Sequence, residues 1–201
     1  MKILIVSGFL GAGKTTFIKR LARNVDQRFA ILENEYGAAG IDGARLGQNR
    51  QGTQKNVWEM TEQCICCIGK KDFAASVLTI ANVVDPEYLI VEPTGVGSLA
   101  RIIENLRQIE YERIQLLSPV TIVDVYSYRR YMAEYPELYQ DQIRSADTII
   151  VSKTEACQAE EKQRIQKFLQ EINSQAKIIT DYASTVSYTH LRAHETRRHL
   201  V

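Results

Sequence analysis

The chain has 201 residues, 45% of them hydrophobic, with 25 Lys and Arg against 24 Asp and Glu and a formal net charge of +1. That length and composition suit one domain with an ordinary core, with room for part of a second. The near-neutral balance gives no electrostatic case for a nucleic acid or an anionic membrane partner, and no run of about 18 apolar residues is present to span a bilayer.

Residues 2–7, apolar and β-branched, predict a buried strand. No signal peptide is expected ahead of it. The stretch GFLGAGKTT follows at residues 8–16 and fits G-x-x-x-x-G-K-[ST], with Gly8, Gly13, Lys14 and Thr15 in the defining places. A loop that wraps a triphosphate must aim successive backbone N–H groups inward, and Gly8, Gly11 and Gly13 permit the dihedrals this needs, with Ala12 between the last two. The helix expected over residues 15–24 adds its positive N-terminal end. In this pattern Lys14 reaches the β- and γ-phosphates, the Thr15 hydroxyl ligates Mg²⁺, and Thr16 bonds the α-phosphate. A dinucleotide-binding G-x-G-x-x-G is excluded by spacing, because position 16 is Thr.

A second strand is expected at residues 29–33, followed by ENEYGAAGID at 33–42, a glycine-rich loop with three carboxylates beyond its first residue's strand position or within it, Glu33, Glu35 and Asp42. A loop in that place is where a phosphate-loop protein keeps a nucleotide-sensing switch. Residues 43–54 read as irregular and 56–60 as a short strand, with Trp58 as a packing residue. Next comes Gln63-Cys64-Ile65-Cys66-Cys67, which holds three of the four cysteines. Clustered in this way they read as a thiol site in a reducing, cytoplasmic compartment, not as a disulfide framework. Thiolates select Zn²⁺, Cu(I) or iron–sulfur chemistry over hard cations. Adjacent residues rarely chelate one ion without strain, so two or three thiolates plus Glu35 or water are the expected ligands. Cys157, among polar residues, reads as a bystander.

Residues 72–84 carry Phe73, Val77, Leu78 and Ala81 at helical spacing. Residues 88–91 form a third buried strand that ends in Glu92-Pro93-Thr94-Gly95. An acidic residue closing an apolar strand beside a phosphate loop is a Walker B element, and Gly95 suits a backbone N–H approaching the γ-phosphate. A helix over 98–109 takes Ser98 as its N-cap. Strands follow at 120–123, 147–151 and 177–180, with Asp124 as a structural cap. The tyrosine-rich 126–139 segment reads as an amphipathic surface helix in pieces, and 160–172 as an amphipathic helix. Strands alternating with helices predict an α/β fold, a mainly parallel sheet covered on both faces.

Residues 186–201 break with this pattern. They contain all three histidines, and their loss would remove three arginines and one glutamate, taking the net charge from +1 to −1. The string resembles translated sequencing-adaptor read-through. The expected division is therefore a nucleotide-binding domain over 1–185 and a non-native tail over 186–201, with a further C-terminal domain absent.

With GFLGAGKTT, ENEYGAAGID, CICC, EPTG and SKTE in this order, the chain resembles the CobW family of metallochaperone-type GTPases, relatives of the HypB and UreG proteins. The resemblance implies a doubly wound phosphate-loop domain, with Lys14 and Thr15 on GTP and Mg²⁺ and Glu92 holding Mg²⁺ through water. Lys153 and Glu155 take the guanine-reading position, where the usual motif is N-K-x-D. Here Ser152 replaces Asn and Glu155 replaces Asp, so an amide contact that favours GTP over ATP is lost. Gln63 stands where the family has Gly.

The expected function is a slow GTPase that carries a thiophilic metal, zinc first, on Cys64, Cys66 and Cys67 and hands it to a client protein. Two alternatives stay open: a small-molecule kinase with the same phosphate loop, and a nucleotide-independent zinc or redox thiol module.

Overall fold

The structure, a computed structural model, describes residues 1–24, 28–35, 57–63 and 70–181. Along the chain these form β1 (Lys2–Gly8), α1 (Lys14–Asn24), β2 (Phe29–Glu35), β3 (Val57–Gln63), α2 (Lys70–Val83), β4 (Tyr88–Glu92) and α3 (Leu99–Arg107). The second half supplies β5 (Gln115–Leu116), β6 (Val120–Asp124), α4 (Tyr128–Glu134), α5 (Pro136–Arg144), β7 (Thr148–Ser152), α6 (Ala159–Ile172) and β8 (Lys177–Ile179).

The strands make one sheet in the order β3-β2-β4-β1-β6-β7-β8, with β5 beside β1. Each named strand pair is parallel. On one edge β1 pairs with β4. On the other, β5 takes its first residues and β6 its last. From β1 the chain moves outward to β2 and β3, returns to β4, then crosses β1 to build the other half. The loops after β1 and β4 thus lead in opposite directions, which opens a crevice at the carboxyl ends of the strands.

The strand residues alternate between two buried layers. Ile3, Ile5, Leu89 and Val91 pack with side chains of α2, α3, α5 and α6, including Phe73, Leu99, Ile143 and Leu169. Leu4, Val6, Ile31 and Ile90 pack with Phe17, Ile18 and Leu21 of α1. Strands buried on both faces read as continuous apolar runs, which is why β1, β4, β6 and β7 were legible without alternation.

The predicted elements are recovered with shifted ends. β2 continues to Glu35, and β3 occupies Val57–Gln63. β5 has two residues, too few for any periodic signal. The 126–139 segment divides at Tyr135, because Pro136 opens α5 with no N–H to continue α4. Tyr128 and Tyr139 turn inward and are buried while Arg129, Arg130, Glu134 and Glu137 are exposed, the two faces of an amphipathic surface helix in pieces. Ser98 caps α3 as expected, its hydroxyl accepting from the Arg101 N–H at 3.3 Å. Among the described residues no helix is long and apolar enough to cross a membrane.

The carboxyl end of α5 is closed from a distance. The Asn173 amide nitrogen lies 2.8, 3.2 and 2.9 Å from the carbonyl oxygens of Ile143, Arg144 and Ala146. Its side-chain oxygen accepts from the N–H groups of Gln175 and Ala176, both at 3.1 Å. One side chain thereby satisfies carbonyls that a helix end leaves without partners. Asn173→Ala is expected to lower the unfolding free energy by about 1–3 kcal/mol, the cost of stranding such groups. Urea denaturation followed by circular dichroism measures the change.

Candidate functional site

Parallel pairing aligns the carboxyl ends of the strands along one edge, and the chemistry-bearing residues cluster there. Gly8 ends β1, Glu35 ends β2, Glu92 ends β4, Asp124 ends β6 and Ser152 ends β7. Register is specific: Gly8 is level with Ile122, Glu33 with Glu92, Asp124 with Ser152, and Glu35 with Gln63.

The loop from Gly8 to Lys14 has the backbone that its glycines permit, with φ of 143° at Gly8, 71° at Gly11 and 98° at Gly13. The Ala12 N–H closes a turn onto the Phe9 carbonyl at 3.2 Å, and the Phe17 N–H starts the α1 ladder on the Gly13 carbonyl at 3.0 Å. The loop is braced from outside. Phe9 sits among three tyrosine rings, at centroid distances of 4.5 Å from Tyr131, 5.6 Å from Tyr135 and 5.3 Å from Tyr139. The Tyr131 hydroxyl donates to the Leu10 carbonyl at 3.0 Å. Burial holds the Tyr139 phenol well above its ordinary pKa, so it stays protonated.

Lys14 opens α1 and is 8% exposed. Its ammonium points back into the loop, 3.4 Å from the Phe9 carbonyl. Burial pushes its pKa below the ordinary value, and the negative charge of Glu92 pulls it partly back. Thr15 follows at the surface, its hydroxyl 3.1 and 3.3 Å from the two carboxylate oxygens of Glu92. The structure therefore brings Lys14, Thr15 and Glu92 together, as their motifs predict. Thr16 is exposed on the first turn of α1. Gly95 lies against the loop so closely that a Cβ there would meet the Leu10 amide nitrogen at 2.6 Å.

The SKTE turn joins the same edge through its first residue. The Ser152 hydroxyl donates to the Ala12 carbonyl at 2.7 Å, tying β7 to the phosphate loop. Lys153 has a left-handed backbone with φ of 60°, and its ammonium contacts Asp124 at 2.7 Å. Burial would raise the Asp124 pKa, but Lys153 and the Tyr126 N–H outweigh it and hold the carboxyl below its usual range. Asp124 is the expected cap, accepting from the Tyr126 N–H at 2.9 Å, and also the anchor of Lys153. Glu155 is exposed on the turn. Cys157 lies 3.5 Å from the Tyr126 hydroxyl and 3.8 Å from the Lys153 carbonyl.

Cys64, Cys66 and Cys67 fall outside the described residues, as do residues 186–201; for Glu35 the structure gives a backbone position at the end of β2. Among the described residues no group of three or more His, Cys, Asp and Glu lies close enough to hold a metal ion. Sequence reasoning missed the tyrosine brace, although its three residues recur at every fourth position, and it missed the Ser152–Ala12 bond, for which no local signal exists.

An ammonium stripped of water inside a loop with one carbonyl for company costs stability. Because its folded-state pKa is lowered, the unfolded chain holds the Lys14 proton more tightly, so this cost is full below the folded pKa and fades as pH climbs toward the ordinary 10.5. Lys14→Met is expected to unfold at higher urea concentration than the unsubstituted chain at neutral pH, with the gap narrowing toward pH 10.5. Denaturation midpoints across a pH series give the comparison.

Residues 2–180 match the family described as CobW/HypB/UreG, nucleotide-binding domain. The zinc chaperone YeiR of Escherichia coli is 30% identical over 178 residues, which cover 87% of this chain and 53% of YeiR. The zinc chaperone CobW of Pseudomonas aeruginosa is 27% identical over 194 residues, 82% of this chain and 52% of that protein. The chain thus spans about half the length of these curated relatives. The crystal structure of Zn(II)-bound YjiA GTPase from E. coli aligns with a TM-score of 0.70 at 22% identity, over 95% of this chain and 60% of that one. HypB from Helicobacter pylori in complex with nickel aligns with a TM-score of 0.55 at 17% identity, over 88% of this chain and 76% of that one. At these identities the structural likeness is one of fold. The sequence match, running from the first strand to the last, carries the assignment: the chain belongs to the CobW/HypB/UreG family through its nucleotide-binding domain.

Proposed function

We propose that this chain is the GTP-binding unit of a metallochaperone. It binds Mg²⁺-GTP at the loop of residues 8–16, hydrolyses it slowly, carries a thiophilic metal on Cys64, Cys66 and Cys67, and delivers that metal to a client protein. Residues 1–185 form the working unit and 186–201 take no part; the family match, which ends at residue 180, supports this division.

The observation that carries the nucleotide half is the Thr15 hydroxyl held against both oxygens of Glu92 at the mouth of the glycine loop. Thr15 and Glu92 are the residues that would hold Mg²⁺, an oxygen-donor pair that suits a hard cation. When bound, Mg²⁺ supplies neutralisation of charge on the phosphate oxygens. The Lys14 ammonium, already dehydrated and only partly compensated by the Glu92 charge, gains a close counter-charge when phosphate enters, so much of its cost is removed on binding. Hydrolysis without a partner is expected at roughly 10⁻⁴ to 10⁻² per second, the range of switch GTPases. Release of inorganic phosphate with no phosphorylated small product separates this activity from a kinase.

Guanine selection falls to Glu155. The Ser152 hydroxyl is committed to Ala12 and the Lys153 ammonium to Asp124, which leaves the exposed Glu155 carboxylate to accept from the guanine N1 and N2 hydrogens. Lys153, with its unusual backbone, presents its stem along the ring. Glu155→Ala is expected to reduce discrimination of GTP over ATP by about 1–3 kcal/mol, the cost of unpairing a charged hydrogen bond. Competition binding with both nucleotides reads this directly, and equal uptake of ATP and GTP by the unsubstituted chain would remove guanine selection.

The metal half is supported by relatives named zinc chaperones and by the register of β2 on β3. Glu35 is level with Gln63, the residue that precedes Cys64 in the sequence, and both end their strands at the same edge of the sheet as Glu92. Mg²⁺-GTP binding would bring Glu35, at the end of β2, to the metal that the thiolates hold. GTP then tightens metal binding, and metal tightens GTP by the same factor, because linkage is reciprocal; coupling of roughly five- to 150-fold is expected. Hydrolysis loosens this grip and favours transfer. Thiolates must lose protons to bind, so loading releases protons and weakens at low pH. Zn²⁺ competition against a chromogenic chelator, run without nucleotide, with GDP and with a non-hydrolysable GTP analogue, tests the whole reading. Substituting Ser for Cys66 and Cys67 should abolish tight Zn²⁺ binding and spare GTP; Glu35→Ala should weaken Zn²⁺ mainly in the GTP state. Identical Zn²⁺ affinity in the three nucleotide states would exclude a nucleotide-gated carrier.

A further inference from the structure

Gln142 lies on the inner face of α5 and is 1% exposed. Its amide nitrogen donates to the carbonyl oxygen of Gly95 at 3.1 Å and to that of Gly97 at 3.0 Å. Both acceptors belong to the loop that leaves β4 directly after Glu92. With two carbonyls facing it, the side chain must turn its nitrogen to the loop, and its oxygen is left buried without a hydrogen-bond partner. A buried amide with its oxygen unsatisfied carries a cost to stability, offset here by the two hydrogen bonds its nitrogen makes to the loop. What Gln142 does for the molecule therefore lies in the loop it holds.

The hold is geometric. In a trans peptide the C=O and the following N–H point in opposite directions. Fixing the Gly95 and Gly97 carbonyls toward α5 fixes the N–H groups of Val96 and Ser98 away from it. Gly97 closes the turn by donating its N–H to the Thr94 carbonyl at 2.9 Å. The next residue of the chain after this loop is secured by the neighbour of Gln142: Asp141 accepts from the Leu99 N–H at 2.7 Å and the Ala100 N–H at 3.4 Å, at the start of α3. On its other side the loop presses on the phosphate loop, where a Cβ at Gly95 would approach the Leu10 side chain at 2.9 and 3.0 Å. The same helix braces the phosphate loop through Tyr139 and Phe9. So α5 sets both loops against each other.

We propose that Gln142 is a positioning residue for triphosphate recognition: by pinning the Gly95 and Gly97 carbonyls it orients the N–H groups of Val96 and Ser98, and so sets the preference for a nucleoside triphosphate over a diphosphate. The proposal rests on the nucleotide-binding reading above and deepens it. A diphosphate is held by the phosphate loop itself and does not depend on Gln142.

The test measures the affinity of the full chain for GDP and for a non-hydrolysable GTP analogue by calorimetry. Gln142→Met keeps the volume and removes the donor; Gln142→Glu keeps the shape and sets carboxylate oxygens against two carbonyls. Both are expected to weaken the triphosphate analogue by about tenfold or more, the equivalent of one lost hydrogen bond to the loop, while GDP affinity stays within about twofold. Ile80→Val, which removes a buried methylene from α2, should lower stability without changing the ratio of the two affinities. An unchanged ratio in the Gln142 variants, or an equal change with Ile80→Val, overturns the proposal. Hydrogen exchange of the unsubstituted chain supplies a measurement that needs no variant: the triphosphate analogue should slow exchange at Val96 and Ser98 relative to GDP, and equal exchange also overturns it. Binding of neither nucleotide by the unsubstituted chain would instead remove the nucleotide reading itself, and this inference with it.

Discussion

The close approach of Gly8 to the Ile122 carbonyl is the constraint on which the site depends. A methyl at Gly8 would stand 2.4 Å from that oxygen, and the backbone there has a φ of 143° that side chains other than glycine's rarely tolerate. Because glycine occupies the position, β6 can pair with β1 up to its last residue. From that pairing follow the others: β6 carries β7 in register, and Ser152 at the end of β7 reaches back to Ala12. The phosphate loop thus begins and is braced through one continuous set of strand contacts.

That bracing matters because the loop is costly to hold open. Three glycines with left-handed or related backbone angles lose more freedom on folding than other residues would, and Lys14 is desolvated with only partial compensation from Glu92. Packing meets these costs. Phe9 is enclosed by three tyrosine rings, Leu10 receives a tyrosine hydroxyl, and Ala12 receives the Ser152 hydroxyl. The result is a site prepared for an anion, one whose binding free energy is not spent on ordering the loop.

The helices α4 and α5 hold the two loops that face the crevice, and they do so with different chemistry. Toward the phosphate loop they offer aromatic surface, which fixes position by packing. Toward the loop after Glu92 they offer Gln142 and Asp141, hydrogen-bonding groups that fix the orientation of individual peptides. A packed ring tolerates little displacement, whereas a hydrogen bond can be exchanged, so the two loops differ in what would be needed to move them.

Much of the fold and part of the site were legible in the sequence. The apolar runs of β1, β4, β6 and β7 announce strands buried on both faces, and the glycine spacing of residues 8–13 is a local backbone requirement, readable wherever it occurs. Glu92 was identified by its place at a strand end, and its meeting with Thr15 followed from the motif. The carboxyl end of β2, the two-residue β5 and the division of α4 from α5 were less legible, since β2 ends in polar residues, β5 is too short for a periodic signal and the division depends on one proline. What only the tertiary structure decided are contacts between distant parts of the chain. Ser152 reads as a weakened base-recognition residue until its hydroxyl is found on Ala12, 140 positions away. Gln142 reads as one more polar residue on a helix until the crossing of the chain over β1 lays it under Gly95 and Gly97. A motif is local because the conformation it needs is set by adjacent residues; a brace is not, because its partner is chosen by strand order and register, which no short stretch of sequence contains.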